Sequence, residues 1–169
     1  LEIRDLEALL VVLMTPQDNL SLAQVLRSPI FSATDEDLVL LVQESAGVWI
    51  NRLEVISRDL DPGHPLSRAD RLLTQWRALA GRIPIHDLLE RIFHDSNLLN
   101  RYQAACPDTQ VARVRANLTR FIELALEVDA GRYPSLPRFP DRVRQLRNLE
   151  KEGPNQATPQ SEHKQRVCL

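Results

Sequence analysis

The chain has 169 residues, of which 43% are hydrophobic and 26% charged, enough for one domain with a hydrophobic core and ordinary for a globular protein. No apolar run is long enough to span a bilayer and no signal peptide opens the sequence, so we expect no membrane partner. Two cysteines, Cys106 and Cys168, are too few for a disulfide framework or a zinc knuckle, and free thiols are typical of a reducing cytoplasm.

The net charge of -2 is unevenly distributed. Residues 1–60 contain ten acidic and four basic residues (-6), so the remainder contains 13 acidic and 17 basic residues (+4). This asymmetry indicates different partners for the two parts. Only two of the 21 basic residues are lysines; arginine suits phosphate contacts, but a GC-rich genome gives the same bias and is the favoured explanation.

Apolar residues recur at helical spacing through the first sixty residues. A first helix should end at Pro16, and a short second helix should stop at Ser28-Pro29, because the residue before a proline is pushed out of the α region. Thr34 is predicted to cap a third helix. The predicted inward-facing residues are Leu6, Leu9, Leu10 and Leu13, then Leu38, Leu41 and Val42, then Trp49, Leu53, Ile56 and Leu60, up to the break at Pro62-Gly63-His64-Pro65.

Helical spacing continues in the second half. Ser67 is predicted to cap a helix that closes at Gly81, and the longest helix should run from about Thr109 to Asp129. Two further helices should lie between them. The predicted inward-facing residues are Leu72, Leu73, Trp76 and Leu79, then Ile85, Leu88, Leu89, Ile92 and Phe93, then Leu98, Leu99 and Tyr102, then Val111, Val114, Leu118, Phe121, Ile122 and Ala125.

The end of the chain is predicted to differ from the preceding helices. We expect a proline loop from Tyr133 to Pro140 and a polar helix from Asp141 to Glu152. Residues 153–165 contain almost nothing apolar and are predicted to be a flexible linker, followed by a short strand-like tail at 166–169. The sequence therefore predicts a compact all-α, multi-helix subdomain at 1–152 and a linker with the start of a strand at 153–169. Because Leu1 is not an initiator methionine and the last residues are apolar, we expect a piece of a larger protein.

Motifs for catalysis are missing. The five glycines never cluster into a phosphate-binding loop, and His86 and His94 lie two helical turns apart, too far to share one metal ion. We therefore assign no catalytic, cofactor-binding or metal-binding residue. His94-Asp95 is interpreted as a solvated pair at a helix end, and Cys106 as an unreactive thiol.

Two charged clusters have alternative interpretations. Asp35, Glu36 and Asp37 could serve acid–base chemistry, but capping of the helix N-terminus is the favoured interpretation. In the longest helix, a basic side opposite Val114 and Leu118 could contact phosphates, although Glu123 and Glu127 could pair with Arg120 instead. Few aromatic residues are available for a single-strand stacking platform. The candidates for DNA contact on this side and after the proline loop are Arg113, Arg115, Asn117, Arg120, Arg142 and Arg144.

Several stretches in order carry a resemblance to a known family. They are Glu2-Ile3-Arg4-Asp5-Leu6, Thr15 to Leu22, Leu26-Arg27-Ser28-Pro29-Ile30-Phe31, Asp35-Glu36-Asp37-Leu38, Ile85 to Ile92 and Arg115-Ala116-Asn117-Leu118. In this order the chain resembles the UvrD/Rep-like superfamily I DNA helicases, and more closely their RecB/AddA-type (exodeoxyribonuclease V beta-like) helicase-nuclease subunits. The resemblance implies an all-helical 2B subdomain, inserted in the second motor domain. Gln165 to Leu169 resembles the strand by which the family's insertion returns to the motor.

The resemblance also implies where chemistry and DNA contacts lie. ATP and Mg would bind elsewhere in the parent helicase, and none would bind in this chain. UvrD-type members have a Gly-Ile-Gly turn that meets duplex DNA where this chain has Ser32-Ala33-Thr34, so Ser32 and Thr34 join the contact candidates. The three following carboxylates would repel a phosphate there.

We therefore expect a non-catalytic accessory region of an ATP-dependent, bacterial, cytoplasmic DNA helicase. It would position duplex DNA or a partner subunit beside the motor domains of its parent chain. The alternative is a helical protein-interaction module that never touches nucleic acid, which the acidic first sixty residues favour. A stand-alone enzyme is the third possibility, with no convergent set of catalytic residues to support it.

Overall fold

The structure is a computed structural model that describes residues 1–129 and 141. These residues form eight α-helices and no β-strand, which confirms the predicted all-α architecture. The predicted proline loop, polar helix, linker and strand-like tail lie outside the described residues, apart from Asp141.

The first four helices follow the predicted order closely. They are α1 (Glu2–Met14), α2 (Asn19–Arg27), α3 (Asp35–Gln43) and α4 (Trp49–Ser57). Asp18 starts α2, because its carboxylate accepts a hydrogen bond from the backbone N–H of Ser21 at 3.0 Å. This bond and a second one from the Ser21 hydroxyl lower the pKa of Asp18.

The last four helices form the second half. They are α5 (Pro65–Leu79), α6 (Ile85–Ser96), α7 (Leu98–Ala105) and α8 (Asp108–Asp129). Asn97 alone separates α6 from α7, in the left-handed conformation at φ 51°, which asparagine tolerates better than most residues. None of the helices in the described part is long and apolar enough to cross a membrane.

Helix α1 occupies the centre of the molecule. It packs against α2, α5 and α8, while α8 also packs against α6 and α7. The inner face of α1 is fully buried at Leu6, Leu9 and Leu10, and α8 contributes Leu118 and Phe121 to the same core. Helix α1 therefore contacts both halves of the chain.

A buried aromatic pair joins the turn after α2 to α5. The rings of Phe31 and Trp76 lie 6.2 Å apart, and the Arg68 guanidinium stacks over Phe31, 5.6 Å from the ring centroid. Arg68 also donates a hydrogen bond to the carbonyl oxygen of Ile30. The turn is therefore fastened to α5 by an arginine as well as by ring packing.

Asp95 has a structural partner that the sequence did not reveal. The indole N–H of Trp76 donates to its carboxylate at 3.1 Å, and Arg91 lies 3.4 Å from the same oxygen. His94 and Asp95 are both exposed near the end of α6, as the interpretation of a solvated helix-end pair predicted, but Asp95 also accepts a hydrogen bond from Trp76. A buried tryptophan needs an acceptor for its N–H, and α6 supplies one.

Two further predictions are corrected. Helix α5 begins at Pro65 instead of after Ser67, because a proline suits the first helical position and His64 Nδ1 accepts the N–H of Leu66 at 3.2 Å. Val42 is 58% exposed instead of buried. In the short helix α3 only Leu41 is fully buried, because helical geometry turns Val42 about 100° away from it.

Of the three carboxylates that follow the turn, Asp37 caps α3, as the favoured interpretation predicted. Thr34 Oγ1 accepts from the backbone N–H of Asp37 at 3.2 Å, and Asp37 accepts from the backbone N–H of Thr34 at 2.8 Å. This reciprocal capping box satisfies two backbone donors. His64 Nε2 lies 3.4 Å from the same carboxylate, so the box also contacts the start of α5.

Thr34→Ala should lower the free energy of unfolding by about 1 kcal/mol, because it removes the side-chain acceptor of the capping box. Urea denaturation of the 169-residue chain measures the change. Thr34→Ser is the matched control and should remain within about 0.5 kcal/mol of the parent, because serine keeps the hydroxyl. Equal stability of all three proteins would contradict the role of Thr34.

Candidate nucleic-acid interface

The backbone donors of the turn after α2 are engaged within the chain. The N–H groups of Phe31 and Ser32 donate to the carbonyl oxygen of Ser28, at 3.1 and 2.8 Å, and Ala33 donates to Leu26 at 2.8 Å. Thr34 donates to Asp37. A turn that binds phosphate through its backbone needs N–H groups directed outwards, and these four already have acceptors.

The backbone of this turn nevertheless has the conformation that glycine favours. Ser32 has a φ of 61°, in the left-handed region that a serine adopts less readily than a glycine. Its exposed hydroxyl donates to the carbonyl oxygen of Pro29 at 3.4 Å. Ser32 thus adopts the backbone conformation that glycine favours, but its side chain prevents the close approach of a phosphate to the backbone that glycine would permit.

The charges beside the turn are mainly negative. Asp35 has a 75% exposed side chain and lies 3.2 Å from the Arg27 guanidinium, and Glu36 is exposed next to it. Arg27 therefore pairs with Asp35, and Glu36 adds a further exposed negative charge. Contact of Ser32 and Thr34 with DNA stays a prediction, and its electrostatic surroundings are unfavourable for a phosphate.

The basic residues of α8 divide between two sides of the helix. Helical geometry places Arg113, Asn117 and Arg120 within about 60° of one another. Arg115 lies about 160° from Arg113 around the axis and therefore faces a different direction. A single phosphate stripe cannot include all four candidate residues of α8.

Two of these candidates already have partners inside the chain. Arg120 Nη1 lies 3.0 Å from Glu127 and 3.5 Å from Glu123, and the hydrogen bond from Glu127 raises the pKa of Arg120. Arg113 donates to the neutral side chain of Gln110 at 3.1 Å. The remaining candidates, Arg142 and Arg144, lie outside the described residues.

Asn117 faces α1. Its amide Nδ2 donates to Glu2 Oε1 at 2.6 Å, between residues 115 positions apart in the sequence. Glu2 is only 6% exposed. Burial acts to raise its pKa, but the hydrogen bonds from Asn117 and from its own backbone outweigh burial and lower the pKa.

A second carboxylate of α1 is bound to two other helices. Asp5 Oδ2 accepts from the Tyr102 hydroxyl on α7 at 2.8 Å, and Oδ1 accepts from Gln24 Nε2 on α2 at 3.1 Å. Asp5 is 4% exposed, and burial raises its pKa even though both hydrogen bonds favour the charged form. Burial and the nearby Asp5 charge together raise the pKa of Tyr102.

Within residues 1–129 and 141, no group of three or more His, Cys, Asp or Glu side chains has an arrangement that could hold a metal ion. His86 has Asp87 at 3.4 Å and Glu90 at 3.6 Å on the same helix. Cys106 is a half-buried free thiol.

Comparisons with known proteins relate the chain to one group, the ATP-dependent helicase/nuclease subunits of AddA type. It is 30% identical over 165 residues to the protein of this group from Heliobacterium modesticaldum, and 28% identical over 148 residues to the one from Thermoanaerobacter sp. (strain X514). The Bacillus pumilus protein is 24% identical over 157 residues. The chain is related to the AddA-type helicase/nucleases. These matches cover 86–90% of this chain but only 11–12% of each relative's length. No protein-family model matches.

The relationship to the AddA-type helicase/nucleases confirms the predicted resemblance to RecB/AddA-type proteins. Two of the sequence stretches that carry this resemblance are in contact in the folded chain. Glu2 belongs to the first stretch and Asn117 to the last, and their side chains share the 2.6 Å hydrogen bond. The ordered stretches are therefore joined in the folded chain at this point.

The partners of Asp5 were missed in the sequence. Gln24 and Tyr102 lie 19 and 97 residues away, and hydrogen bonds between such distant residues leave no periodic signal. One signal was available. Glu2, Asp5 and the buried Glu7 crowd the start of a helix that is otherwise leucine-rich, which indicates acids facing partners inside the protein.

Tyr102→Phe should destabilise the chain by about 2 kcal/mol at pH 7, because a buried carboxylate loses a hydrogen-bond donor. The loss should be smaller near pH 4. The folded pKa of Asp5 is raised, so its contribution to stability is complete below the unfolded pKa and declines as the pH rises through the folded pKa. Without the Tyr102 donor this decline is larger. Denaturation curves between pH 4 and 8 measure it.

The matched control is Asn100→Ala, also on α7, which removes a hydrogen bond between two neutral amides. Its effect should not change with pH. A cost of Tyr102→Phe that is the same at pH 4 and pH 8 would show that the hydroxyl does not serve the charged form of Asp5.

Proposed function

We propose that this chain is a non-catalytic helical region, of the 2B type found in UvrD/Rep-like helicases, within an ATP-dependent helicase/nuclease of DNA repair. The observation that carries the proposal is the relationship over most of the chain to a short part of proteins named as ATP-dependent helicase/nucleases. The joined Glu2 and Asn117 segments support it, because the stretches that carry the resemblance meet in one fold.

In this proposal the helical body acts mechanically. ATP and Mg would bind in the motor domains of the same parent chain, in the cytoplasm of a bacterium, and this region would position duplex DNA or a partner subunit beside them. The fastening of α1 to α2, α5, α7 and α8 suits such a role. A body that transmits force needs its helices to keep their relative positions.

DNA contact would come from α8 on the basis of charge. Arg113 and Arg115 make no ion pair within the described residues, whereas Arg120 has two glutamates. Both are exposed and point to different sides of the helix, so each would contact a separate phosphate. Weak, salt-sensitive binding of a duplex backbone is the expected behaviour.

A second candidate function is the docking of a partner protein without DNA contact. The observation that favours it is the net charge of -6 on residues 1–60, together with the turn N–H groups that already have acceptors. An acidic surface repels DNA and attracts basic protein surfaces. In this alternative α1 to α4 form the contact surface.

A salt titration of duplex binding separates the two functions. For the DNA function, we expect the 169-residue chain to bind a short duplex with micromolar affinity that falls steeply with salt. Arg113→Ala and Arg115→Ala should each weaken binding several-fold and reduce the salt slope by about one unit. Fluorescence anisotropy at several salt concentrations measures both quantities.

Arg58→Ala is the matched control, because Arg58 is an exposed arginine paired with Glu54 in the acidic half. It should leave binding unchanged. Undetectable duplex binding at low salt, or equal effects of all three substitutions, would reject the α8 contact and favour the docking function.

A further inference from the structure

The chain between Asp70 and Asp87 carries an excess of positive charge. Its sixteen residues include no aspartate or glutamate but three arginines, Arg71, Arg77 and Arg82. They form most of α5 and the turn into α6, and all three arginines are exposed. None of the three belongs to the residues predicted from the sequence to contact DNA.

These arginines have no acidic partner in the described part of the chain. No Asp or Glu lies three or four residues before or after any of them, which are the separations at which side chains meet on a helix. None of them forms an ion pair or a hydrogen bond with another described residue. Other exposed arginines lie within 3.4 Å of a carboxylate: Arg27 of Asp35, Arg58 of Glu54 and Arg91 of Asp95.

The exposed face of α5 between these charges carries neutral side chains. Helical geometry places Thr74 and Ala78 between Arg71 and Arg77 around the axis, and Gln75 next to Arg71. Arginine, threonine and glutamine all donate hydrogen bonds to phosphate oxygens in protein–DNA complexes. The opposite side of α5 is packed in the core, which holds this face in place. We call these five residues and Arg82 the basic face of α5.

The turn after α5 fixes the backbone at Arg82. Gly81 has a φ of 75°, and the N–H groups of Arg82 and Ile83 both donate to the carbonyl oxygen of Leu79, at 2.9 and 3.3 Å. A helix C-terminus carries about half a negative charge, which one basic side chain can offset. Three arginines exceed this need, and Arg71 lies about two turns before the helix ends.

The spacing and composition of the basic face select its ligand. Arg77 lies about 9 Å further along the axis than Arg71, so the arginines suit a row of phosphates better than a single one. Trp76 is fully buried, so α5 offers no aromatic ring on which the bases of a single strand could stack. No large apolar side chain is exposed on α5, so the face lacks the anchors of a protein interface.

We propose that the basic face of α5 binds the phosphate backbone of a nucleic-acid duplex without reading its sequence. This contact goes beyond the one proposed for α8, because it involves a different helix and does not depend on Arg113 or Arg115. Three phosphates would be contacted, one by each arginine of the face. Thr74 and Gln75 would add hydrogen bonds to the same backbone.

Anisotropy titrations of a short fluorescein-labelled duplex with the full 169-residue chain test the proposal. The triple variant Arg71→Gln, Arg77→Gln and Arg82→Gln should bind about ten-fold or more weakly at low salt. The slope of log K against log salt should fall by about three units, one for each lost phosphate contact. Two duplexes of unrelated sequence should behave alike, because phosphate contacts carry no sequence information.

The matched control replaces Arg27, Arg58 and Arg91 by glutamine. It removes the same total charge, but from arginines that have acidic partners, and it should keep the salt slope of the parent chain. Lysine at positions 71, 77 and 82 keeps the positive charges and should retain most of the slope, which separates a loss of charge from a loss of folding.

An unchanged salt slope in the glutamine variant of the basic face, or an equal loss in the control, overturns the proposal. Undetectable duplex binding overturns it too. So does binding of poly-glutamate in place of the duplex, because an acidic protein surface would then be the occupant. Arg113→Ala and Arg115→Ala in the same assay report on α8 alone, so failure of the α5 contact is distinguishable from failure of the α8 contact.

Discussion

Two buried carboxylates at the start of α1 hold the helices of both halves together. Glu2 is bound by Asn117 of α8, and Asp5 is bound by Gln24 of α2 and Tyr102 of α7. Taking a carboxylate out of water is costly unless hydrogen bonds compensate, so these acids stabilise only the arrangement that supplies their donors. Hydrophobic packing would tolerate small shifts of α7 and α8 along α1, whereas the hydrogen bonds specify one position.

This constraint joins two stretches of the family resemblance that lie far apart in sequence. The first stretch provides the acids of α1 and a later one provides Asn117. Asn117 was a candidate for DNA contact because it shares a side of α8 with Arg113, but its amide is directed at Glu2. The DNA-binding hypothesis therefore concentrates on Arg113 and Arg115, the exposed arginines of α8 that form no ion pair among the described residues.

Much of the fold could be predicted because it depends on local patterns. Pro16 and Ser28-Pro29 end α1 and α2 where expected, and leucine spacing gives the buried faces. The predictions were incomplete or wrong where contacts with a neighbouring residue or helix determine the structure. Asp95 is an acceptor for Trp76, and the start of α5 is set by His64 and Pro65 instead of Ser67. Such contacts depend on how helices pack, which periodicity does not contain.

The candidate interface was harder to predict than the fold, for an electrostatic reason. The sequence identifies arginines and carboxylates but not which of them neutralise each other. Arg120 faces Glu123 and Glu127, as the alternative interpretation predicted, and Asp35 faces Arg27. In the turn after α2, Ser32 takes the left-handed backbone conformation, yet the N–H groups point into the chain. Side-chain directions decide these cases, and sequence spacing alone does not give them.

A double-mutant cycle on Glu2 and Asn117 tests the central role of α1 most directly. Glu2→Ala, Asn117→Ala and the double variant are compared with the parent chain by urea denaturation at pH 7. We expect a coupling free energy of about 1.5 kcal/mol or more, typical of a hydrogen bond to a charged group. Additive effects, with a coupling below about 0.3 kcal/mol, would contradict the claim that the carboxylates of α1 hold α8 in place.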